Sequence, residues 1–238
     1  MRATVVSVCA VLMLMCQATA GHTQTMTGGM DVKVGVLGIG FDGAVGVNDK
    51  SAVRVGFNFF NFNHDFDDDG ITLAAQLKLR SVTAQYDFFP TGGGFHVSPG
   101  LMLHNGNRVE AHTFVPAGSQ FTLGNSSLMS NPSNPVRGDA KVAFEKVAPV
   151  ITIGWGNITR GERRWTIPVE FGVVLSRAPT ATFSLAGSAC LPNGTNCRDV
   201  ATEPVLQDEV RNEEADLNHS LEKLKMIPVL SFGFGYRF

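Results

Sequence analysis

Beyond residue 20 the sequence has no apolar run long enough to cross a bilayer as a helix, which takes about 20 residues, and charged residues recur throughout. Net charge is also nearly absent: 19 Lys and Arg against 21 Asp and Glu leave −2. Such a chain offers no polybasic stretch, so no nucleic-acid partner and no electrostatic attachment to an anionic membrane are expected. Cysteine is scarce. Of four, Cys9 and Cys16 lie in the first twenty residues, leaving Cys190 and Cys197. Histidine is thin too: His104, His112 and His219 are isolated in the sequence and read as interior or loop residues.

The start of the chain reads as an export signal. Met1 and Arg2 precede an apolar stretch to Met15, about a dozen residues, the length of a secretory apolar region. Ala18-Thr19-Ala20 supplies the small residues that signal peptidase reads, so cleavage before Gly21 is expected, with residues 1–20 as the signal peptide. The apolar run is too short for an inner-membrane anchor. Cys9 follows Val8 and Cys16 follows Met15, not the small residue that usually precedes a lipidated cysteine. Export places the mature chain in an oxidising compartment, where Cys190 and Cys197 are expected to form a disulfide pinning a loop. A metal site there lacks a nearby His or second Cys pair.

What the mature chain does have is glycine, 26 residues, phenylalanine, 17, and valine, set in short two-residue repeats. The last thirteen residues are the sharpest case. Met226, Pro228, Leu230, Phe232, Phe234, Tyr236 and Phe238 share one parity; Ile227, Val229, Ser231, Gly233, Gly235 and Arg237 share the other. Side chains alternate across a strand, so one face is large and apolar and the other is mostly small or polar. The ending Gly-Phe-Gly-Tyr-Arg-Phe resembles the last strand of outer-membrane barrels. The resemblance implies that Phe234, Tyr236 and Phe238 form the signal read by the barrel-assembly machinery. In layout the mature chain resembles the small eight-stranded barrels of the OmpA/OmpW type, which serve as structural anchors, adhesins or narrow channels for small solutes.

Similar alternation recurs around Phe41, Phe57, Leu101, Ile151 and Phe171. Between Ile71 and Phe89 the phase slips: Leu73, Leu77 and Leu79 keep one parity, then Val82, Ala84, Tyr86 and Phe88 take the other. A β-bulge near Arg80 and Ser81 would restore a single lipid face. Connections alternate between short and long, the long ones at 63–70, 112–140 and 187–225. Short periplasmic turns and longer external loops orient the strands and put Trp155, Trp165, Phe88, Phe89, Phe95 and Phe238 in a girdle at one interface. Seven strands are clear, whereas bacterial single-chain barrels have even numbers. The eighth is expected within 21–34, with Thr180 to Ala186 as the other candidate. Pro99, Pro149, Pro168 and Pro228 should sit at bulges or near strand ends. Residues 206–225 place Leu206, Val210, Leu217, Leu221 and Leu224 near helical spacing, giving an external amphipathic helix before the last strand.

Asp42, Arg54, Lys78, Arg80, Glu170 and Arg237 are expected to point into the lumen, either as cross-links or as a gate on a narrow water path. Asp65, Asp67 and Asp69, followed by Gly70, fit an oxygen-rich Ca²⁺ loop, although the twelfth position is Gln76 and not Glu. The alternative is a solvated acidic hairpin, and no other cofactor is implied. His96, Ser98 and Glu110 are similar to the His-x-Ser and later Glu of outer-membrane lipid A deacylases. Three departures argue against catalysis. Pro99 replaces an Asn of that family, His96 follows a periplasmic turn, and Glu110 would lie about 40 Å up the same strand. Residues 125–134, rich in Ser, Asn and Pro, read as an exposed loop.

The expectation is an all-β, antiparallel transmembrane barrel over residues 21–238, integral to the outer membrane. It should be non-enzymatic and of structural or narrow small-solute channel type, with outer-membrane lipid and lipopolysaccharide around it. An adhesin-like role for the external loops is the alternative.

Overall fold

The computed structural model describes residues 27–68, 71–124 and 126–238. The expected signal peptide at 1–20 and Asp69 lie outside these residues, as does the side chain of Asp67. In chain order the strands are β1 (Gly28–Gly35), β2 (Gly38–Asn48), β3 (Ser51–Asp68), β4 (Ile71–Phe88), β5 (Phe95–Asn105), β6 (Arg108–Phe114), β7 (Gln120–Leu123) and β8 (Ser126–Ser130). Then come β9 (Arg137–Ala143), β10 (Ala148–Trp155), β11 (Trp165–Thr166), β12 (Val169–Leu175), β13 (Thr180–Ala186), β14 (Ser188–Cys190) and β15 (Arg198–Asp199). Helix α1 (Pro204–Leu221) precedes the last strand, β16 (Met226–Arg237).

Eight strands close on themselves. Neighbours pair antiparallel around the ring β1, β2, β3, β4, β5, β10, β12, β16 and back to β1. The first strand is β1, in the segment where the eighth was expected; β13 is a strand, but not of the barrel. Closure leaves no edge inside the ring, the condition for sheet backbone to sit in hydrocarbon. The two-residue repeat then sorts side chains by medium: Phe41 is 48 % exposed and its neighbour Asp42 is 3 % exposed. Phe57, Ile151, Phe171 and Phe232 share the outer surface with Phe41, an apolar exterior of the kind lipid covers.

The aromatic girdle is built largely as expected. Trp155 packs on Phe95 at 5.2 Å between ring centroids, and Trp165 packs on Phe234 and Tyr236 at 4.9 and 4.5 Å. Phe89 is the exception. It is buried and meets His96 at 5.3 Å, so it closes the barrel floor and does not face lipid.

Prolines fall where a missing N–H is tolerated. Pro168 lies in the break between β11 and β12, while Pro149 and Pro228 lie within three residues of a strand start. Pro99 is mid-strand, and there the β4–β5 pairing skips from Gln85↔Gly100 to Phe88↔Val97.

Against β3, β4 has no bulge at Arg80 and Ser81; against β5 the register shifts between Val82 and Thr83, where β5 carries the extra residue, Leu103. The β3–β4 register runs unbroken from Ser51↔Phe88 to Asp68↔Ile71, so the expected loop at 63–70 is mostly strand. What changes along β4 is its second partner, β5 below Ser81 and β6 above. Val82, Ala84, Tyr86 and Phe88 lie on the lipid side. Above them the same side carries Lys78 and Gln76, and the leucines at 73, 77 and 79 occupy the reverse side. The medium switches, not the strand.

Above the barrel, β6, β9 and β13 extend the β3–β4 hairpin into a five-stranded sheet. The remaining strands, β7, β8, β14 and β15, form a second sheet. The long connections are therefore a folded cap. Its core gathers Val115, Leu123, Leu128, Val136, Ala189 and Val200 with Leu206 and Val210 from the buried side of α1. Residue 125 lies outside the described residues, and 126–130, expected as loop, form β8. Cys190 and Cys197 are joined by a disulfide within the cap.

Helix α1 also closes an edge. Asn218 accepts from Ala181 N at 2.9 Å and donates to Ala181 O at 3.0 Å, while Glu214 accepts from Phe183 N at 2.9 Å. One turn apart on α1, these side chains stand in for a strand beside β13. Replacing Asn218 by Ala should cost the cap about 1–2 kcal/mol. Faster hydrogen exchange at the Ala181 and Phe183 amides, with the barrel's heat-modifiable gel shift unchanged, is the expected readout.

Candidate functional site

The interior of the barrel gathers buried charged and polar side chains from strands distant in sequence. Every barrel strand contributes to it: Lys33 from β1, Asp42 from β2, Arg54 from β3, Gln85 and Asp87 from β4, His96 and Ser98 from β5, Thr152 from β10, Glu170 from β12 and Ser231 from β16. All sit on the face that alternation turns inward.

Arg54 is the hub. Its Nε and Nη2 donate to the two carboxylate oxygens of Asp87, both at 3.0 Å, and its Nη1 donates to Asp42 Oδ2 at 2.9 Å. Nη2 also donates to Glu170 Oε1. Lys33 Nζ bridges Asp42 Oδ2 at 2.5 Å and Glu170 Oε2 at 3.5 Å. Ser98 Oγ donates to Asp87 Oδ1 at 2.6 Å, and Gln85 Nε2 donates to Thr152 Oγ1 at 2.9 Å. His96 Nε2 lies 3.6 Å from Glu170 Oε1. Inward glycines make room: a Cβ on Gly154 would stand 2.7 Å from the His96 ring, and one on Gly56 would stand 2.4 Å from Asp42 Oδ1.

These groups fill the space they line. A cavity of about 10 Å³ remains beside Asp31, Arg54, Asp87, His96 and Glu170. Another of about 20 Å³ lies beside Lys33, Asn58 and Ser231. Each has room for about one water. Met102, Ala148, Val150 and Val174 form an apolar cluster in the interior, packed by Leu37, Ile227 and Val229. Phe89 and Ile158 are buried toward the end of the barrel away from the cap.

Of the six charges expected in the lumen, Asp42, Arg54 and Glu170 are there. Lys78 and Arg80 are not. With no bulge in β4 they fall on its outward face, and Lys78 pairs with Glu110 on β6 at 2.6 Å. That hydrogen bond is the chief reason the Glu110 carboxyl is held below its ordinary pKa. Arg237 lies at the rim, where its N–H donates to Arg164 O at 2.8 Å and its guanidinium to Gly161 O. Lys33, Asp31, Asp87 and His96 belong to the interior and were not anticipated there. Their signal was present, since Asp31 and Lys33 alternate with Met30, Val32 and Val34.

His96, Ser98 and Glu110 are not brought together. His96 faces Glu170, Ser98 is bonded to Asp87, and Glu110 sits on β6, a separate strand outside the ring. The Ca²⁺ loop is not formed as expected either. Asp65 and Asp67 lie on extended β3, where alternate residues stand about 7 Å apart along the strand instead of wrapping an ion. Among the described residues no group of three His, Cys, Asp or Glu is placed to hold a metal.

No family model and no curated protein matches the sequence. Solved structures do match in fold. CarO of Acinetobacter baumannii aligns with TM-score 0.56 at 19 % identity, over 91 % of this chain and 100 % of that one. CarO2 of the same organism aligns with TM-score 0.55 at 16 % identity, over 90 % and 100 %. At such identity the likeness is one of fold. Together with the closed ring and its apolar exterior, this fold is that of an integral outer-membrane barrel.

Substituting Arg54 by Ala strands buried carboxylates and should destabilise the detergent-folded protein by about 3–5 kcal/mol. Lys78→Ala, at a partly exposed pair outside the ring, should cost under about 1 kcal/mol. Urea unfolding followed by the heat-modifiable band checks both, and equal losses would contradict the placement of Lys78 outside the ring.

Proposed function

We propose that this protein is a structural outer-membrane barrel with a sealed interior, whose external cap is the surface that meets partners. The carrying observation is the filled lumen, with cavities of about 10 and 20 Å³ between interlocked charges and an apolar cluster. A small-solute channel needs a continuous water path, and neither space admits more than about one water. The ion pairs act as cross-links in this reading, not as a gate. The folded cap, with its own core and disulfide, supports the interaction role. Outer-membrane lipid and lipopolysaccharide surround the exterior. Phe234, Tyr236 and Phe238 serve as the signal for the barrel-assembly machinery, on and just after the strand whose pairing with β1 closes the ring. The chemistry proposed is non-enzymatic.

Planar-bilayer recording tests the reading. Wild type and Glu170→Ala should both insert without discrete conductance steps. Reproducible steps from the wild type would overturn the sealed barrel in favour of the channel.

A further inference from the structure

The sheet that rises above the barrel has two edges, and they are treated differently. The β13 edge is closed by Asn218 and Glu214 of α1. The opposite edge is β3 above Phe59, where pairing with β2 ends at Ile39.

Two hydrogen bonds outside the ladders fix which way its backbone points. Phe89 N donates to Lys50 O, so even residues of β3 turn toward β4. Gly46 N donates to Thr27 O, so even residues of β2 turn toward β1, and odd residues of both strands meet at their shared seam. Above Phe59, the N–H and C=O groups of Asn61, Asn63 and Asp65 therefore face the open edge. Among the described residues they have no backbone partner.

Exposed edges are usually blunted by proline, lysine or a bulge. From Phe60 to Asp68 there is no proline and no lysine, and the register with β4 is regular. The two faces beside the edge also differ. Phe60, Phe62 and Phe66 line one, exposed by 39, 52 and 51 %. His64 stands between the last two, its ring 6.1 Å from Phe62 and 4.4 Å from Phe66. Asn61, Asn63 and Asp65 line the other, where the acidic run of the sequence begins.

We infer that this edge of β3 is a β-augmentation site for an extended segment of another polypeptide whose side chains alternate between apolar and basic. Such a strand bonds to the open backbone groups, lays its apolar side chains along the phenylalanine row and sets its basic ones beside Asp65. The inference rests on the cap being the surface that meets partners.

The test uses the full chain folded in detergent and a short fluorescent peptide alternating valine and lysine. Saturable binding by anisotropy is expected. Methylating the peptide's alternate amide nitrogens should weaken it about tenfold, as should Asn63→Pro, since each removes an edge hydrogen bond. Asn63→Ala, which keeps the N–H, should bind as wild type does. Asn63→Pro withdraws an N–H that no ladder uses, and its heat-modifiable shift verifies folding. If that variant fails to fold, the methylated peptide against the wild type carries the test alone. No saturable binding, or equal binding by the methylated peptide, overturns the inference. Silent bilayers with no peptide binding would defeat this inference alone, whereas conductance steps would defeat the sealed-barrel reading.

Discussion

Inside a bilayer no water replaces a missing backbone hydrogen bond, and the seam where β16 meets β1 answers that constraint. Once eight strands close, the ring is narrow enough that its inward side chains must fill it. Glycine then becomes necessary opposite bulky inward groups, as at Gly154 against His96. The apolar exterior, the packed interior and the position of the girdle are consequences of the same closure.

The interior charges tie the ring together by non-local contacts. Arg54 on β3 reaches β2, β4 and β12 at once, and the last of these lies across the barrel. A one-residue slip of any strand would exchange its inward and outward sets, exposing a charge to lipid and burying an apolar side chain among carboxylates. Ion pairs of this kind add little net stability by themselves, because desolvation opposes them. What they penalise is every other register.

The barrel was readable from the sequence because alternation names a face, and the C-terminal aromatics name the medium on that face. The first strand, expected within 21–34 with Thr180 to Ala186 as the alternative, came from the need for an even count, and the helix before β16 from helical spacing. The cap was not readable, because its strands are short and their partners distant in sequence, as with β14 beside β8. Lys78 and Arg80 were misplaced for a related reason. Parity tells which residues share a side of β4 but not where lipid gives way to water, and a bulge was invoked where a change of partner sufficed. Asp31, Lys33 and Asp87 carried the correct alternation, yet isolated charges in short segments do not announce that distant strands will bring them together.

The rim of the barrel is uneven. Between β1 and β2 only Val36 and Leu37 connect the strands, whereas β3 continues past Phe59 to Asp68, about 30 Å farther along its axis. The cap sheet is thus rooted on one flank, and the flank built from β1 and β2 remains low. In a crowded leaflet such a molecule has a preferred compass direction. Lipid headgroups and neighbouring proteins can approach the low side closely, while the tall side keeps them at a distance.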